Sequence, residues 1–246
     1  MAFGDIVQSK TNSTASGTSI AVTFDSGVTA GNLILLWHHT GDGTGTAGTG
    51  MSTALAMLNS PDADDGGLFY RVVITADGAT WGADSSGADE HVLIGYEIEG
   101  SFAASPLDQT AYNPGNPVLA PADNDLTTGT TGTTAQADEF AAAFVMSRDA
   151  GQTIASLTNG FVDRGELTDT DKIVGAATKV LTATGTVETT WTFVSTPVDD
   201  YLSGVATFKK AAGGIPETGV EGMEISDSVS YSVVLSPSTC RIVSTL

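Results

Sequence analysis

Residues 75–96 read TADGATWGADSSGADEHVLIGY, and residues 182–206 read TATGTVETTWTFVSTPVDDYLSGVA. Each stretch starts with a Thr-Ala-x-Gly block, continues to a Thr-Trp pair, and passes through two acids into an apolar run. Two half-chains that repeat the same order of strand and turn residues predict one β-sandwich built from two similar sheets. Matches this short also arise by chance, and an unduplicated chain is the alternative.

The correspondence extends upstream of these two stretches. Residues 31–36 (GNLILL) correspond to residues 138–143 (DEFAAA) at an offset of 107, and His91 corresponds to Tyr201 at an offset of 110. The repeated positions are those of a scaffold, so they indicate architecture more directly than function.

Apolar runs separated by Gly, Asp and Asn predict strands along most of the chain, and helical periodicity is nearly absent. Residues 20–24 alternate as a half-buried strand does, and residues 33–37 form a continuous apolar run that suits a central strand covered on both faces. Residues 91–98 form a similar run, with Gly95 where a neighbouring element approaches closely. The second half predicts further strands at 140–146, 173–181, 187–194 and 201–208.

Residues 211–216 (AAGGIP) interrupt this pattern and predict a linker. Beyond it, apolar and serine residues alternate over residues 223–236, which in extended form would span about 45 Å. We therefore predict an all-β fold: a jelly-roll-like antiparallel β-sandwich over residues 1–210, a linker over 211–222, and a C-terminal extended strand arm over 223–246.

A strand as long as the predicted arm exposes unpaired N–H and C=O groups unless another strand pairs with it. We expect the arm to pair with another subunit or with another protein of the same assembly. The buried side of that contact would carry Ile225, Val229, Tyr231, Val233 and Leu235. The alternative is an edge strand that folds back on the chain's own sandwich.

The net charge of the chain bears on whether it binds nucleic acid or membranes. Nine Lys and Arg stand against 29 Asp and Glu, a net charge of −20, which repels nucleic-acid backbones and anionic lipid surfaces. No apolar run is long enough to span a bilayer. We therefore expect neither nucleic acid nor membrane as a partner. Cys240 is the only cysteine, so the chain has no internal disulfide.

The amino terminus, MAFGDI, has neither a basic start nor an apolar run, which predicts synthesis in a cytoplasm without a secretory signal peptide. The abundance of Gly, Thr, Ser and Ala with few Lys is nonetheless typical of extracellular β-proteins. A virion component released by lysis of its host reconciles the two observations. An acidic cytosolic domain from a salt-adapted or thread-forming system is the alternative.

The histidine-rich part of the chain is His38-His39, followed by Asp42. Neighbouring residues of a strand point to opposite faces, so these two imidazoles cannot bind one ion without a bulge. The third histidine, His91, has no visible connection to them in the sequence. We expect one imidazole of the pair to be packed and the other to be exposed, with no metal site.

An acidic segment, residues 62–67 (DADDGG), resembles the first half of a calcium-binding loop but lacks the distant bidentate Glu. Asp62, Asp64 and Asp65 are candidate ligands on this ground alone. Solvated turn carboxylates are the expected outcome, and we predict no metal and no cofactor.

No sequence pattern predicts catalysis, because the chain contains neither a Gly-x-Ser-x-Gly elbow nor a phosphate loop between a strand and a helix. Trp37, Trp81 and Trp191 would form a sugar-stacking platform if they were exposed. The matching positions of Trp81 and Trp191 in the two halves favour packing between sheets instead. A glycan-cleaving enzyme remains an alternative, because 29 acids always offer some carboxylate pair.

The strand-forming segments are 18–24 (TSIAVTF), 31–37 (GNLILLW), 70–73 (YRVV), Trp81, 96–100 (YEIEG) with 106–108 (PLD), 137–140 (ADEF) and 206–209 (ATFK). Together they resemble a family of phage structural β-sandwich proteins, found among tail and capsid accessory genes and among bacterial surface proteins. The resemblance covers residues 5–210. It implies a jelly-roll-like sandwich with a virion or surface role, and it supplies no catalytic residues.

We therefore expect a non-enzymatic structural protein on the surface of a tailed-phage virion, either a capsid decoration or a fibre-like accessory protein, that acts by assembly. Its partners would be other virion proteins, of the capsid or the tail, and further copies of itself. Virion symmetry favours a homo-oligomer such as a trimer. The alternative is a carbohydrate-binding adhesin or lectin-like module that uses loop carboxylates, calcium and an exposed Trp.

Overall fold

The structure, a computed structural model, describes residues 2–41, 44–59, 64–74, 77–113, 124–148, 151–169, 172–195 and 201–212, and the backbone of residues 231–236 and 239–244. It divides into two compact units, Met1–Ala211 and Ala212–Leu246. The elements in the described ranges are all β-strands, which confirms the predicted all-β class. Within those ranges no helix is long and apolar enough to span a bilayer.

The first half of the larger unit forms two antiparallel sheets. A five-stranded sheet has the order β1-β8-β3-β6-β5, and a three-stranded sheet has the order β2-β7-β4. The strands are β1 (Ile6–Thr14), β2 (Ser19–Thr23), β3 (Leu33–Thr40), β4 (Gly45–Ala47), β5 (Ser52–Asn59), β6 (Asp64–Val72), β7 (Thr80–Ser85) and β8 (His91–Ile98).

The second half repeats the first, strand for strand. Its five-stranded sheet has the order β9-β16-β11-β14-β13 and its three-stranded sheet the order β10-β15-β12, which are the orders of the first half with eight added to each number. The internal repeat predicted from the sequence is thus confirmed. The strands are β9 (Phe102–Asn113), β10 (Asp125–Thr127), β11 (Asp138–Ser147), β12 (Ile154–Leu157), β13 (Val162–Thr168), β14 (Ile173–Thr182), β15 (Thr190–Phe193) and β16 (Tyr201–Lys210).

The two five-stranded sheets pack face to face and form the central core. On β3, Leu33, Leu35 and Trp37 face β11, from which Phe140 and Phe144 project towards them. The indole N–H of Trp37 donates a hydrogen bond to the carbonyl oxygen of residue 143 at 2.8 Å, which ties one half of the chain to the other. This arrangement confirms the predicted antiparallel β-sandwich with one large sheet from each half.

Each three-stranded sheet covers the outer face of its own five-stranded sheet, and this outer layer was absent from the prediction of two similar sheets. Ile34 and Leu36 of β3 pack outward against Val22 and Trp81, which lie on β2 and β7. A strand with apolar side chains on both faces needs cover on both sides, which explains the continuous run at residues 33–37. The result is four layers, with equivalent residues in the second half.

The close approach predicted at Gly95 is confirmed. A Cβ atom added to this residue would lie 2.7 Å from Cγ2 of Val22, a distance that real contacts do not show. The second half has a comparable position at Gly175, where a Cβ would lie 2.5 Å from Cδ1 of Ile154. These two glycines let the outer sheets pack tightly on the inner ones.

The C-terminal unit contains an antiparallel hairpin, β17 (Tyr231–Ser236) and β18 (Thr239–Ser244). The sequence predicted one extended strand over residues 223–236, and the structure instead pairs its second part with the residues that follow. Tyr231, Val233 and Leu235 therefore lie on β17, whereas Ile225 and Val229 lie outside the described residues, as does most of the predicted linker.

Candidate functional site

One end of the larger unit buries many polar side chains. Here β3 and β11 end and β6, β8, β14 and β16 begin, so that several strand termini meet. Burial of a polar group without a partner costs about 1–3 kcal/mol, so this concentration of buried polar side chains needs an explanation. The polar end, as we name it, buries His38, His39, Thr40, Asp65, Ser85, His91, Ser147, Gln152 and Lys172.

The centre of the polar end is a hydrogen-bonded pair of histidines. Nε2 of His38 lies 2.8 Å from Nδ1 of His91, and the two rings are stacked with their centroids 5.1 Å apart. Nε2 of His91 lies 2.9 Å from the carbonyl oxygen of Gly17, in the turn between β1 and β2. Both imidazoles are completely buried.

These contacts determine the positions of the protons. Because the carbonyl of Gly17 only accepts, Nε2 of His91 carries hydrogen and its Nδ1 is an acceptor. Nε2 of His38 must then be the donor, which leaves Nδ1 of His38 as a bare acceptor without a hydrogen-bond partner. That nitrogen packs against Gly45 of β4, where an added Cβ would lie 3.2 Å away.

Protonation of His38 is disfavoured in the folded protein. Burial lowers the pKa of His38 well below its usual value, and the proximity of His91 and His39 lowers it further. Because both imidazoles are completely buried, a proton added to His38 would place a charge in the interior. The contacts of the pair are therefore sensitive to the protonation of His38.

The expectation that His91 is unconnected to the other histidines, and that one of His38 and His39 is exposed, is wrong. β3 and β8 are antiparallel neighbours in which Thr40 lies opposite His91, so His38 is its diagonal neighbour on the same face. His39 points to the other face, as expected, but it is also completely buried. The contact was accessible from the sequence only by pairing the predicted strands 33–37 and 91–98.

The second half lacks this pair. At the offsets of the repeat, His38 corresponds to Val145 and His91 to Tyr201. Val145 and Tyr201 belong to the apolar core between the two sheets of the second half. The histidines are thus a departure from a scaffold that the chain otherwise builds with apolar side chains at the same positions.

An ion pair crosses between the halves beside the histidines. Nζ of Lys172, at the start of β14, lies 3.0 Å from a carboxylate oxygen of Glu90, just before β8. The Lys172 side chain is only 4% exposed, so its charge depends on this carboxylate and on other polar groups of the polar end.

The acidic candidates do not form a calcium loop in the described part of the chain. Asp64 and Asp65 are the first residues of β6, opposite Asn59 and Leu58 of β5, and Asp65 is buried. The expectation of solvated turn carboxylates is therefore wrong for Asp65. Asp62 lies outside the described residues. Among the residues described, no cluster of three or more His, Cys, Asp or Glu is arranged to hold a metal ion.

The opposite end of the first half buries a carboxylate. Glu97 of β8 is completely buried and accepts hydrogen bonds from the backbone N–H of Thr29 at 2.8 Å, from Nδ2 of Asn32 at 2.7 Å and from Nε2 of Gln8 at 2.5 Å. Three neutral donors, from β1 and from the connection between β2 and β3, thus converge on one carboxylate. Sequence analysis missed this residue because Glu97 stands within an apolar strand.

The second half buries a carboxyl group on a different strand. At the repeat offsets Asn32 corresponds to Glu139 and Glu97 to Thr207. Burial raises the pKa of Glu139, a hydrogen bond from Thr207 lowers it, and the nearby carboxylate of Asp108 raises it. Each half therefore buries one acid at this pair of equivalent positions, on β8 in the first half and on β11 in the second.

A surface groove of 510 Å³ lies in the second half, lined by residues 179–188 together with Thr130 and Asn159. Nζ of Lys179 donates to the carbonyl oxygen of Asn159 at 2.6 Å, and Nδ2 of Asn159 donates to the carbonyl oxygen of Glu188 at 3.1 Å. The hydroxyl of Thr130 donates to the Glu188 carboxylate. Four threonine residues contribute to its lining, together with charged and apolar residues such as Lys179, Glu188 and Val180.

All three tryptophans are buried. Trp37 and Trp191 are completely covered and Trp81 is 7% exposed. Trp81 and Trp191 lie on the equivalent strands β7 and β15, each between a three-stranded and a five-stranded sheet. The expected packing role is confirmed, and an exposed Trp platform for sugars is not formed.

The chain matches no known protein family, no curated protein and no solved structure.

Proposed function

We propose that this chain is a non-enzymatic structural protein of a tailed-phage virion surface, a capsid decoration or fibre-like accessory protein that works by assembly. The observation that carries the proposal is the C-terminal hairpin of β17 and β18. A sheet of two strands is marginally stable in water by itself. Such an element gains stability when a partner strand or surface covers it.

The register of the hairpin supports a contact role. Val233 pairs with Ile242 and Leu235 pairs with Cys240 in the backbone register. Val234 pairs with Arg241, and Ser236 pairs with Thr239. Three of the five residues predicted for the assembly arm, Tyr231, Val233 and Leu235, thus lie on β17, two of them at register positions opposite another apolar residue.

The larger unit supports the same function. In the first half, the strand orders β1-β8-β3-β6 and β2-β7-β4 support a jelly-roll-like arrangement, with β5 added to the larger sheet. Jelly rolls are frequent among viral capsid proteins and lectins. The net charge of −20 suits a surface protein that must not aggregate or adhere to nucleic acid.

The proposal is tested by measuring the mass of the full chain and of a truncated chain, residues 1–211, by light scattering after size exclusion. We expect the full chain to form homo-oligomers and the truncated chain to be a monomer with an unchanged melting temperature. Leu235→Asp, which places a charge at the register position opposite Cys240, should dissociate the oligomer, whereas Val234→Asp, opposite Arg241, should not. A monomeric full chain that also fails to co-purify with phage particles would contradict the proposal.

A carbohydrate-binding module is the second candidate, and the hydroxyl-lined groove at residues 179–188 favours it over the excluded Trp platform. Such a wall suits a neutral polyhydroxylated ligand. Binding on a glycan array that disappears in Thr184→Trp, which would fill the groove, would support this candidate. Absence of binding would leave the assembly function alone.

A further inference from the structure

We propose that His38 and His91 form an acid-sensitive latch. The latch holds the outer sheet β2-β7-β4 against the five-stranded sheet of the first half and releases it when the pair is protonated. The two side chains project from β3 and β8 of the inner sheet. They meet the outer layer at two points: His91 binds the carbonyl of Gly17 just before β2, and His38 packs on Gly45 of β4.

The hydrogen bonds that run from His38 through His91 to the carbonyl of Gly17 offer no acceptor for a further proton. A proton on Nδ1 of His38 would create a buried N–H that faces Gly45 and has no acceptor. A proton on Nδ1 of His91 would set two N–H groups against each other across 2.8 Å. Either event leaves a buried charge without compensation unless the outer layer moves away and admits water.

The surrounding charged groups do not offset this cost. Burial, His91 and His39 all lower the pKa of His38. The neighbouring strands bring Asp65 at the start of β6, and Asp89 and Glu90 just before β8, of which Glu90 is paired with Lys172. None of these acids raises the pKa of His38. β4, with the sequence Gly-Thr-Ala, brings no titratable group, and β2 brings none either. Asp84 is the only titratable residue of β7, and its carboxylate does not contribute to the shift at His38.

The sign of the effect follows from linkage. The unfolded or opened chain binds a proton at His38 near the usual pKa of about 6.5, whereas the closed state resists protonation to a lower pH. Stability of the closed layer is therefore complete above about pH 6.5 and decreases below it. Each pH unit below that value favours the open state by up to about tenfold through His38.

The second half is a built-in control on the same molecule. Its equivalent sheet, β10-β15-β12, packs on a core that has Val145 and Tyr201 in place of the histidines. Neither residue changes its charge between about pH 5 and about pH 7.5. Acid release should therefore be confined to the first half.

Hydrogen–deuterium exchange of the full chain at about pH 7.5 and about pH 5, corrected for the intrinsic pH dependence of exchange, tests the latch. We expect opening of β2, β4 and β7 to increase at least about tenfold at the lower pH, with little change in β10, β12 and β15. Equal acceleration in both sheets, or none in either, would overturn the proposal.

The matched variant transplants the second half's residues into the first, as His38→Val with His91→Tyr. It should remove the acid response, so that within this variant the corrected exchange of β2, β4 and β7 is the same at about pH 5 and at about pH 7.5. An undiminished acid response in this variant would refute the latch. If the double variant fails to fold, NMR titration of the imidazoles in the unmodified chain decides: His38 must stay neutral until the layer opens, and a free titration near pH 6.5 without opening would refute the latch.

Discussion

Replacing Glu97 by Gln tests whether the buried carboxylate holds the first half together. The carboxylate accepts three hydrogen bonds, two on Oε1 from Thr29 and Asn32 and one on Oε2 from Gln8. Glutamine has nearly the same shape but can offer only one oxygen. If that oxygen keeps the two bonds of Oε1, the new NH₂ group faces the NH₂ group of Gln8.

The magnitude follows from the lost contact. A hydrogen bond to a charged group contributes about 1.5–3 kcal/mol, and a buried donor left without an acceptor costs about 1–3 kcal/mol. Gln8 cannot simply flip its amide, because its Oε1 accepts from the N–H and the hydroxyl of Ser26. We expect E97Q to lower the free energy of unfolding by about 2–4 kcal/mol. For a unit of this size that lowers the melting temperature by about 4–16 °C.

Calorimetry or denaturant unfolding of E97Q beside E99Q provides the measurement. Glu99 is a half-buried acid two residues along, and its replacement removes the same charge. E99Q should stay within about 0.5 kcal/mol of the unmodified chain. An E97Q protein as stable as the parent, or more stable, would refute the reasoning, since it would mean that removing the charge from the interior outweighs the lost bonds.

Three further outcomes are expected. Burial raises the pKa of Glu139 in the folded chain above its usual value of 4.5, so this residue lowers the stability of the fold as the pH rises. E139Q should therefore raise the melting temperature more at about pH 8 than at about pH 4. K172M leaves Glu90 unpaired between the halves and should cost about 1–3 kcal/mol in urea unfolding, because the pair is buried on the lysine side and partly exposed on the other. W37F should cost about 1 kcal/mol more than W191F in the same assay, because the Trp37 indole donates a hydrogen bond to the other half and the Trp191 indole N–H has no partner.

The strands of the larger unit were largely predictable, because apolar pattern and turn residues are local. The run at residues 33–37 identified a strand buried on both faces, and Gly95 identified a close contact. The outer three-stranded sheets were not predicted as a separate layer. β4 and β10 have only three residues each, too few for any periodicity to appear.

The polar end and the Glu97 network could not be predicted either, and here the reason is the distance between the partners along the chain. His38 and His91 are 53 residues apart, and Gln8 and Glu97 are 89 residues apart. Nothing in the neighbourhood of either residue in the sequence indicates its partner. Such pairs become visible only when strand order and register are known.

The sequence by itself determined the strands, the duplication and the acidic, single-cysteine character of the chain, since these depend on composition and on patterns that repeat every second residue or every half-chain. The tertiary structure alone decided the four layers, the burial of all three histidines and the convergence of three hydrogen-bond donors on Glu97. Those features depend on which strands become neighbours and on which face each side chain shares with its neighbour, and a one-residue change of register would reverse every such contact.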